Sequence, residues 1–341
     1  MTFLNRKAFI VFLLSNFITL FLIASYSVEK EQNTIINNSD KQPRLTFGVI
    51  SDIHIRSGKD YRGYPYHDKE AGRKFASALR DLNYINRTQN ALVINGDLTV
   101  TGTKSDCDCM NRVLRSNPHP KWTLFTIGNH EFYAAFQDIQ GKMNIRSFPN
   151  SVTESQCLKR FIDNTQMPGV YYDRWIQGYH FIVLGSEQSR ITNRQNYDNP
   201  VLSETQLKWL DNQLKSYQTN KPTFIFLHQP IPYATIGNSN YIINAAKLYR
   251  IVRKYPVIFF SGHSHETLRE QTKIIYHDGF VVFNDSSVRN PVYAYHIPVN
   301  DSEGLYVQVY EGKVVIKGRD FMHRTWINQY TVPVQQAVTD F

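Results

Sequence analysis

The chain has 341 residues, 42% of them hydrophobic and 20% charged, the make-up of a globular protein with a large core. That length allows one large domain or two ordinary ones. The formal net charge is +9, but no dense Lys/Arg run accompanies it. The charge therefore reads as a generally basic surface that draws in anions, and no nucleic-acid partner is expected.

In chain order, Asn5-Arg6-Lys7 precedes an apolar run from Ala8 to about Ala24. A positive stretch followed by a hydrophobic one makes residues 1–27 a signal peptide or an N-terminal membrane anchor, with the rest of the chain exported either way. Residues 28–43 are rich in Glu, Gln, Asn, Ser and Lys and read as a polar linker. A domain is expected over 44–325 and a C-terminal tail over 326–341.

Inside that domain, apolar runs alternate with helical patterns, as in a layered α/β fold. Strands are predicted at Arg44–Ile50, Ala91–Asn95, Trp122–Ile127, Thr223–Leu227 and Val257–Phe260. A helix over 69–86 presents Ala71, Phe75, Ala78, Leu79 and Leu82 on one face, with Asp68 as its N-cap. Further helices are predicted near 103–115, over Ser151–Asp163, over 204–217 behind a Ser203–Gln206 capping box, and over Ala245–Lys254. A hairpin turns at Gln177-Gly178. After His265 the pattern becomes all-β, with candidates at Lys273–Tyr276, Phe280–Asn284, Leu305–Val309 and Lys313–Lys317. These are expected to complete the second sheet of a sandwich.

Five short motifs punctuate this order: Asp52-Ile53-His54, Gly96-Asp97, Gly128-Asn129-His130-Glu131, His228-Gln229-Pro230 and Gly262-His263-Ser264-His265. Each follows one of the five apolar strands, where α/β folds gather their ligands. All the candidate ligands are oxygen or imidazole donors, which suits two divalent metals sharing one site. Asp52 and His54 lie two residues apart, so a strand pleat would point both the same way. The glycines at 96, 128 and 262 are expected to allow sharp turns. No cysteine is involved; Cys107 and Cys109 are too close to bridge. A bond from one of them to Cys157 and three unpaired thiols both stay open.

On these motifs the chain resembles the calcineurin-like metallophosphoesterase superfamily over about residues 44–290. Gly96-Asp97-Leu98-Thr99 followed by Gly102 resembles the branch holding cyclic-nucleotide and glycerophosphodiester phosphodiesterases. The resemblance implies a four-layer α-β-β-α sandwich with the metal site at the loops beyond the strand C-termini. It implies one metal (Mn, Fe, Zn or Co) on Asp52, His54 and His265, and a second on Asn129, His228 and His263. Asp97 would bridge them with its two oxygens. His130 would face the substrate and steady or protonate the leaving group, with Glu131 orienting its ring. The implied reaction is hydrolysis of a small phosphodiester or phosphomonoester by metal-activated hydroxide.

The chain departs from that pattern in places. Val100 stands where purple acid phosphatases place a Tyr ligand. His228-Gln229-Pro230-Ile231 replaces the His-His-Pro-Pro of many cyclic-nucleotide-type relatives. Two other readings are a metal-binding module without catalysis and a nuclease. The complete ligand set with His130 argues against the first. The lack of a basic stripe interleaved with stacking aromatics argues against the second.

Overall fold

The computed structural model describes residues 42–59, 65–138, 140–216, 221–231, 243–271, 275–277 and 280–334. The N-terminal apolar run lies outside the described residues, among which no helix is long and apolar enough to cross a membrane. From Leu45 onward the elements run β1 (Leu45–Ile50), β2 (Ser57–Lys59), β3 (Pro65–His67), α1 (Lys69–Ile85), β4 (Ala91–Asn95), α2 (Lys104–Arg115), β5 (Trp122–Thr126) and α3 (Glu154–Thr165). Next come β6 (Tyr172–Ile176), β7 (Tyr179–Val183), α4 (Glu204–Ser216), β8 (Thr223–Phe226), α5 (Ala245–Val252), β9 (Val257–Ser261), β10 (Ile275–His277) and β11 (Phe280–Asn284). Short β12 (Val292–Tyr293) and β13 (Ile297–Pro298) precede β14 (Glu303–Val309), β15 (Lys313–Asp320) and β16 (Thr325–Pro333).

Two six-stranded sheets carry the fold, in the orders β16-β15-β14-β1-β4-β5 and β10-β11-β9-β8-β7-β6. Strand alternation sorts the side chains into three layers of core. Leu45, Phe47 and Val49 of β1, Ala91 and Val93 of β4, Phe224 and Phe226 of β8 and Phe260 of β9 fill the space between the sheets. The ring of Phe47 lies 5.0 Å from Phe181 and 4.9 Å from Phe224, both edge-on. Burying each such ring contributes roughly 1.5–3 kcal/mol. The intervening residues Ile50, Leu92 and Ile94 face outward onto Phe75, Leu79 and Leu82 of α1 and Met110 of α2. On the second sheet, Ile225, Val257 and Phe259 face Leu207, Leu210 and Leu214 of α4 and Leu248 of α5. Three cores between four layers give the expected α-β-β-α sandwich.

Helix α1 begins as its sequence predicts: Asp68 Oδ1 accepts from the Glu70 and Ala71 amides, both at 3.0 Å, a cap worth ~1 kcal/mol. The predicted box on α4 forms by half. Ser203 Oγ accepts from the Gln206 amide, but the Gln206 side chain turns away to bond both backbone groups of Gly185. Tertiary pairing of a buried backbone outcompetes the local cap.

Two expectations need correction. The late strands do not all join the second sheet: β10 and β11 do, whereas β14 and β15 extend the first sheet beside β1. Nor is 326–341 wholly a tail. β16 pairs along β15 and forms the edge of the first sheet, with Val332, Ile327 and Tyr330 on the inter-sheet core. Its water-facing residues include Thr325, Gln329 and Thr331, and that polar share makes the strand resemble a tail in sequence. Trp326 also lies over the Arg319 guanidinium at 4.7 Å. That guanidinium forms a buried fork to Asp81 of α1 at 2.7 and 3.0 Å.

Candidate metal centre

Five loops converge because five parallel strands end together. β1, β4 and β5 are parallel neighbours in one sheet, and β8 and β9 in the other. The loops after β1 and β4 zip together past the strand ends. Asp52 N–H donates to Gly96 O at 3.1 Å, His54 N–H to Asp97 O at 3.1 Å, and Ile55 N–H to Leu98 O at 3.2 Å.

The side chains reach one place by backbone twist rather than by strand pleat. Asp52, His54, Asp97, His263 and His265 all have positive φ, between 48° and 69°. Asp and His tolerate this region better than most residues, yet each such site costs on the order of 1–3 kcal/mol. The glycines divide in role as well. Gly96 takes φ +87°, but Gly128 and Gly262 stay outside the left-handed region. They are small because an added Cβ would lie 2.2 Å from Asp97 Oδ1 and 2.4 Å from Ser51 Oγ respectively.

The seven candidate ligands form two joined groups. Asp52 Oδ1 is 3.0 Å from His265 Nε2 and 3.6 Å from His54 Nε2. The two Nε2 atoms of His54 and His265 face each other at 3.0 Å. In the second group Asn129 Oδ1 is 3.0 Å from His263 Nδ1, and His228 Nε2 is 3.2 Å from Asp97 Oδ2. Asp97 Oδ2 also lies 3.8 Å from His54 Nε2, so that one oxygen faces both groups. Its other oxygen accepts the His130 amide at 3.0 Å.

The ring orientations are fixed from behind. His228 Nδ1 bonds Asn95 O at 2.8 Å and His265 Nδ1 bonds Asn290 O at 3.2 Å, leaving each Nε2 aimed inward. Asp52 Oδ1 and His228 Nε2 are buried with no hydrogen-bond partner, although such atoms are normally satisfied. Inward-aimed imidazole nitrogens beside a carboxylate oxygen with no hydrogen bond fit divalent cations well once the rings give up their protons. The electrostatics agree. Burial alone would raise the Asp52 carboxyl, but His265 and His228 outweigh it and hold it well below the usual range. Asp97 is likewise held low by His228 and His130 against its burial. Burial would lower His228, yet Asp97 and Asp52 push it up to about 10. Burial takes His54 down to about 4 and His263 to about 3.

His130 lies beside these groups with Nε2 3.9 Å from Asp97 Oδ2. Its orientation comes from Nδ1 donating to Val100 O at 2.8 Å and from the Tyr133 ring at 4.1 Å. Glu131 does not orient it. That carboxyl points under the loops, accepting from Gly128 N at 2.9 Å and Thr99 N at 3.2 Å, and burial with Asp97 nearby pushes it up to about 8. Glu131 thus braces the second motif against the third.

Sequence reasoning missed Tyr133 and Asp198. Tyr133 Oη accepts from Asn129 Nδ2 at 3.1 Å and donates to Asp198 Oδ1 at 2.7 Å. This turns the Asn129 amide oxygen toward His263. Gln229, the departure from the His-His-Pro-Pro pattern, donates to Asp198 O at 3.0 Å. Asn129, Tyr133, Phe136, Phe148 and Gln229 line a pocket beside the metal ligands. The three cysteines are free thiols; burial pushes Cys107 up to about 12 and Cys157 to about 11.

Comparison with known proteins agrees with this geometry. Residues 45–267 match the calcineurin-like phosphoesterase family. A glycerophosphodiester phosphodiesterase, GpdQ of Enterobacter lignolyticus, is 25% identical over 65% of this chain and 71% of its own. A 3′,5′-cyclic-nucleotide phosphodiesterase of Nostoc is 25% identical over 71% of this chain and 79% of its own. The solved structure of a dimetal phosphatase from Danio rerio superposes with a TM-score of 0.62, at 18% identity, over 86% of this chain and all of that one. With the two-sheet fold and Asp/His clusters able to bind two metal ions, this chain belongs to the calcineurin-like phosphoesterases and is a metal-dependent hydrolase of phosphoester bonds.

Proposed function

We propose that the protein hydrolyses small phosphodiesters, with Asp52, His54 and His265 holding one divalent cation and Asn129, His228 and His263 a second. Asp97 Oδ2 lies between the two groups and would serve both. The observation that carries this reading is the pair of buried, unpartnered atoms, Asp52 Oδ1 and His228 Nε2, within a complete seven-residue donor set. The two phosphodiesterase relatives favour a diester over a monoester.

Bound cations would supply Lewis acidity, lowering the pKa of water and offsetting charge on the phosphoryl oxygens. This chain's residues do the rest. Asn129 contributes a neutral oxygen and limits the negative charge of the site. His130, pinned through Nδ1, keeps Nε2 toward the site, where the ring in its imidazolium form can donate to a phosphoryl or leaving-group oxygen. The basic surface draws anionic esters in.

The test is hydrolysis of bis(p-nitrophenyl) phosphate by the manganese-loaded domain, with Asp97→Asn and His130→Ala alongside. Asp97→Asn is expected to lose on the order of 10²-fold or more in kcat. His130→Ala should lose most on substrates with poor leaving groups. Turnover of p-nitrophenyl phosphate alone would replace the diester reading with a monoesterase. Metal binding without any turnover would favour a binding module.

Residues 1–27 support export, with the N-terminal segment in or through a membrane and the catalytic domain outside the cytoplasm. Fractionation of cells expressing the full chain tests this. Recovery of uncleaved protein in the cytoplasmic fraction would reject it.

A further inference from the structure

Beneath the metal ligands lies a buried carboxyl that no motif includes. Asp285 follows β11 in the second sheet, and its side chain is fully buried. Its amide donates to Ser261 O at 2.7 Å, anchoring it beside the end of β9. From there both oxygens reach the first sheet. Oδ1 lies 2.8 Å from Ser51 Oγ, and Oδ2 accepts from Asn95 Nδ2 at 2.8 Å.

Each of these partners supports a ligand. Ser51 Oγ lies 2.5 Å from Asp52 Oδ2. Asn95 O accepts from His228 Nδ1 at 2.8 Å. One carboxyl therefore stands behind a ligand of the first group and a ligand of the second, and it does so across the sheet interface. Counting protons adds a constraint. Ser51 Oγ has one hydrogen and faces two carboxylate oxygens and the Ser286 carbonyl, the last at 2.9 Å. If Asp285 is ionised, the hydroxyl can satisfy only one of them. If Asp285 carries a proton on Oδ1, that O–H donates to Ser51 Oγ and the serine hydroxyl donates to Asp52. Both carboxyl contacts are then satisfied, only the Ser286 carbonyl goes without the serine hydrogen, and no third buried negative charge is added behind Asp52 and Asp97. Burial supports the same state, pushing Asp285 up to about 7.

We infer that Asp285, as an uncharged hydrogen-bonding bracket between Ser51 and Asn95, is a positioning residue for both metals. The inference rests on the dimetal reading above. Outer partners of this kind typically change metal affinity by about 10–100-fold.

The test is metal affinity and stoichiometry, independent of turnover. The apo protein, as wild type, Asp285→Ala and Asp285→Asn, is titrated with cobalt(II), followed by its visible absorption and by elemental analysis, with circular dichroism checking the fold. Asp285→Ala should weaken both sites about tenfold or more. Asp285→Asn can still donate to Ser51 and accept from Asn95, so it should stay within about threefold of wild type. Ser51→Ala covers the case in which Asp285→Ala does not fold; it should weaken the first site and spare the second. Wild-type affinities in Asp285→Ala would overturn the inference. So would Asp285→Asn binding as poorly as Asp285→Ala, or Ser51→Ala leaving the first site unchanged. A wild-type chain that binds no metal would instead defeat the dimetal reading.

Discussion

Gly262→Ala should damage the metal site without disturbing the fold. A Cβ at this position would lie 2.4 Å from Ser51 Oγ and 2.6 Å from Asp52 Oδ2, where ordinary contacts begin near 3.4 Å. Something must therefore move by about 1 Å. Ser51 is held by Asp285 and by Ser286 O, so it has little room to give. Asp52 yields more easily at Oδ2, where it accepts from the His263 amide at 3.0 Å. Displacing it would shift one ligand and the backbone of another together. Overpacking of this kind costs about 1–3 kcal/mol of stability. A 1 Å misplacement within a catalytic group costs on the order of 10²-fold in rate. The assay is kcat on bis(p-nitrophenyl) phosphate, with metal content and a thermal melt measured on the same preparation. Gly312→Ala is the control, because nothing lies within 4 Å of its Cβ. The expected result is a folded Gly262→Ala protein with depleted metal and kcat down by about two orders of magnitude. Wild-type kcat and two bound metals in this variant would refute the reasoning.

Metal uptake at pH 7 should release at least one proton. His228 is pushed up to about 10, so its ring is protonated in the metal-free site, and Asp52 raises His265 in the same direction against its burial, whereas ligation needs neutral imidazole. His228 stabilises the metal-free fold below its ordinary 6.5, and that contribution fades as pH rises through about 10; metal affinity runs the opposite way and falls on acidification. Calorimetric titration in two buffers of different ionisation enthalpy measures the release, and equal heats in both would contradict it. Away from the site, Arg319→Met should destabilise the domain by about 3–5 kcal/mol, because Asp81 would stay buried with only Arg324 at 3.6 Å. Urea unfolding tests this, and adding Asp81→Leu should restore most of the loss. A single variant as stable as wild type would show that the pair carries no such weight.

The order of residues alone carries the layered α/β class, most strand and helix positions, and all seven candidate ligands with His130. These were legible because their causes are local. Short, largely apolar runs buried on both faces mark β1, β4 and β8, an Asp68 cap marks α1, and donor types at strand ends mark the site. How those ligands meet is set by long-range packing of the loops. Five of them converge through positive φ, which no residue type requires and only the surrounding loops can enforce. The family resemblance made Glu131 the expected partner of the His130 ring, but the buried amides of Gly128 and Thr99 claim its carboxyl. Tyr133, Asp198 and Asp285 carry no motif, since their partners lie from 4 to 234 residues away. β16 was hidden for a related reason: an edge strand needs an apolar face on one side only, and which sheet supplies the other strand is a long-range choice.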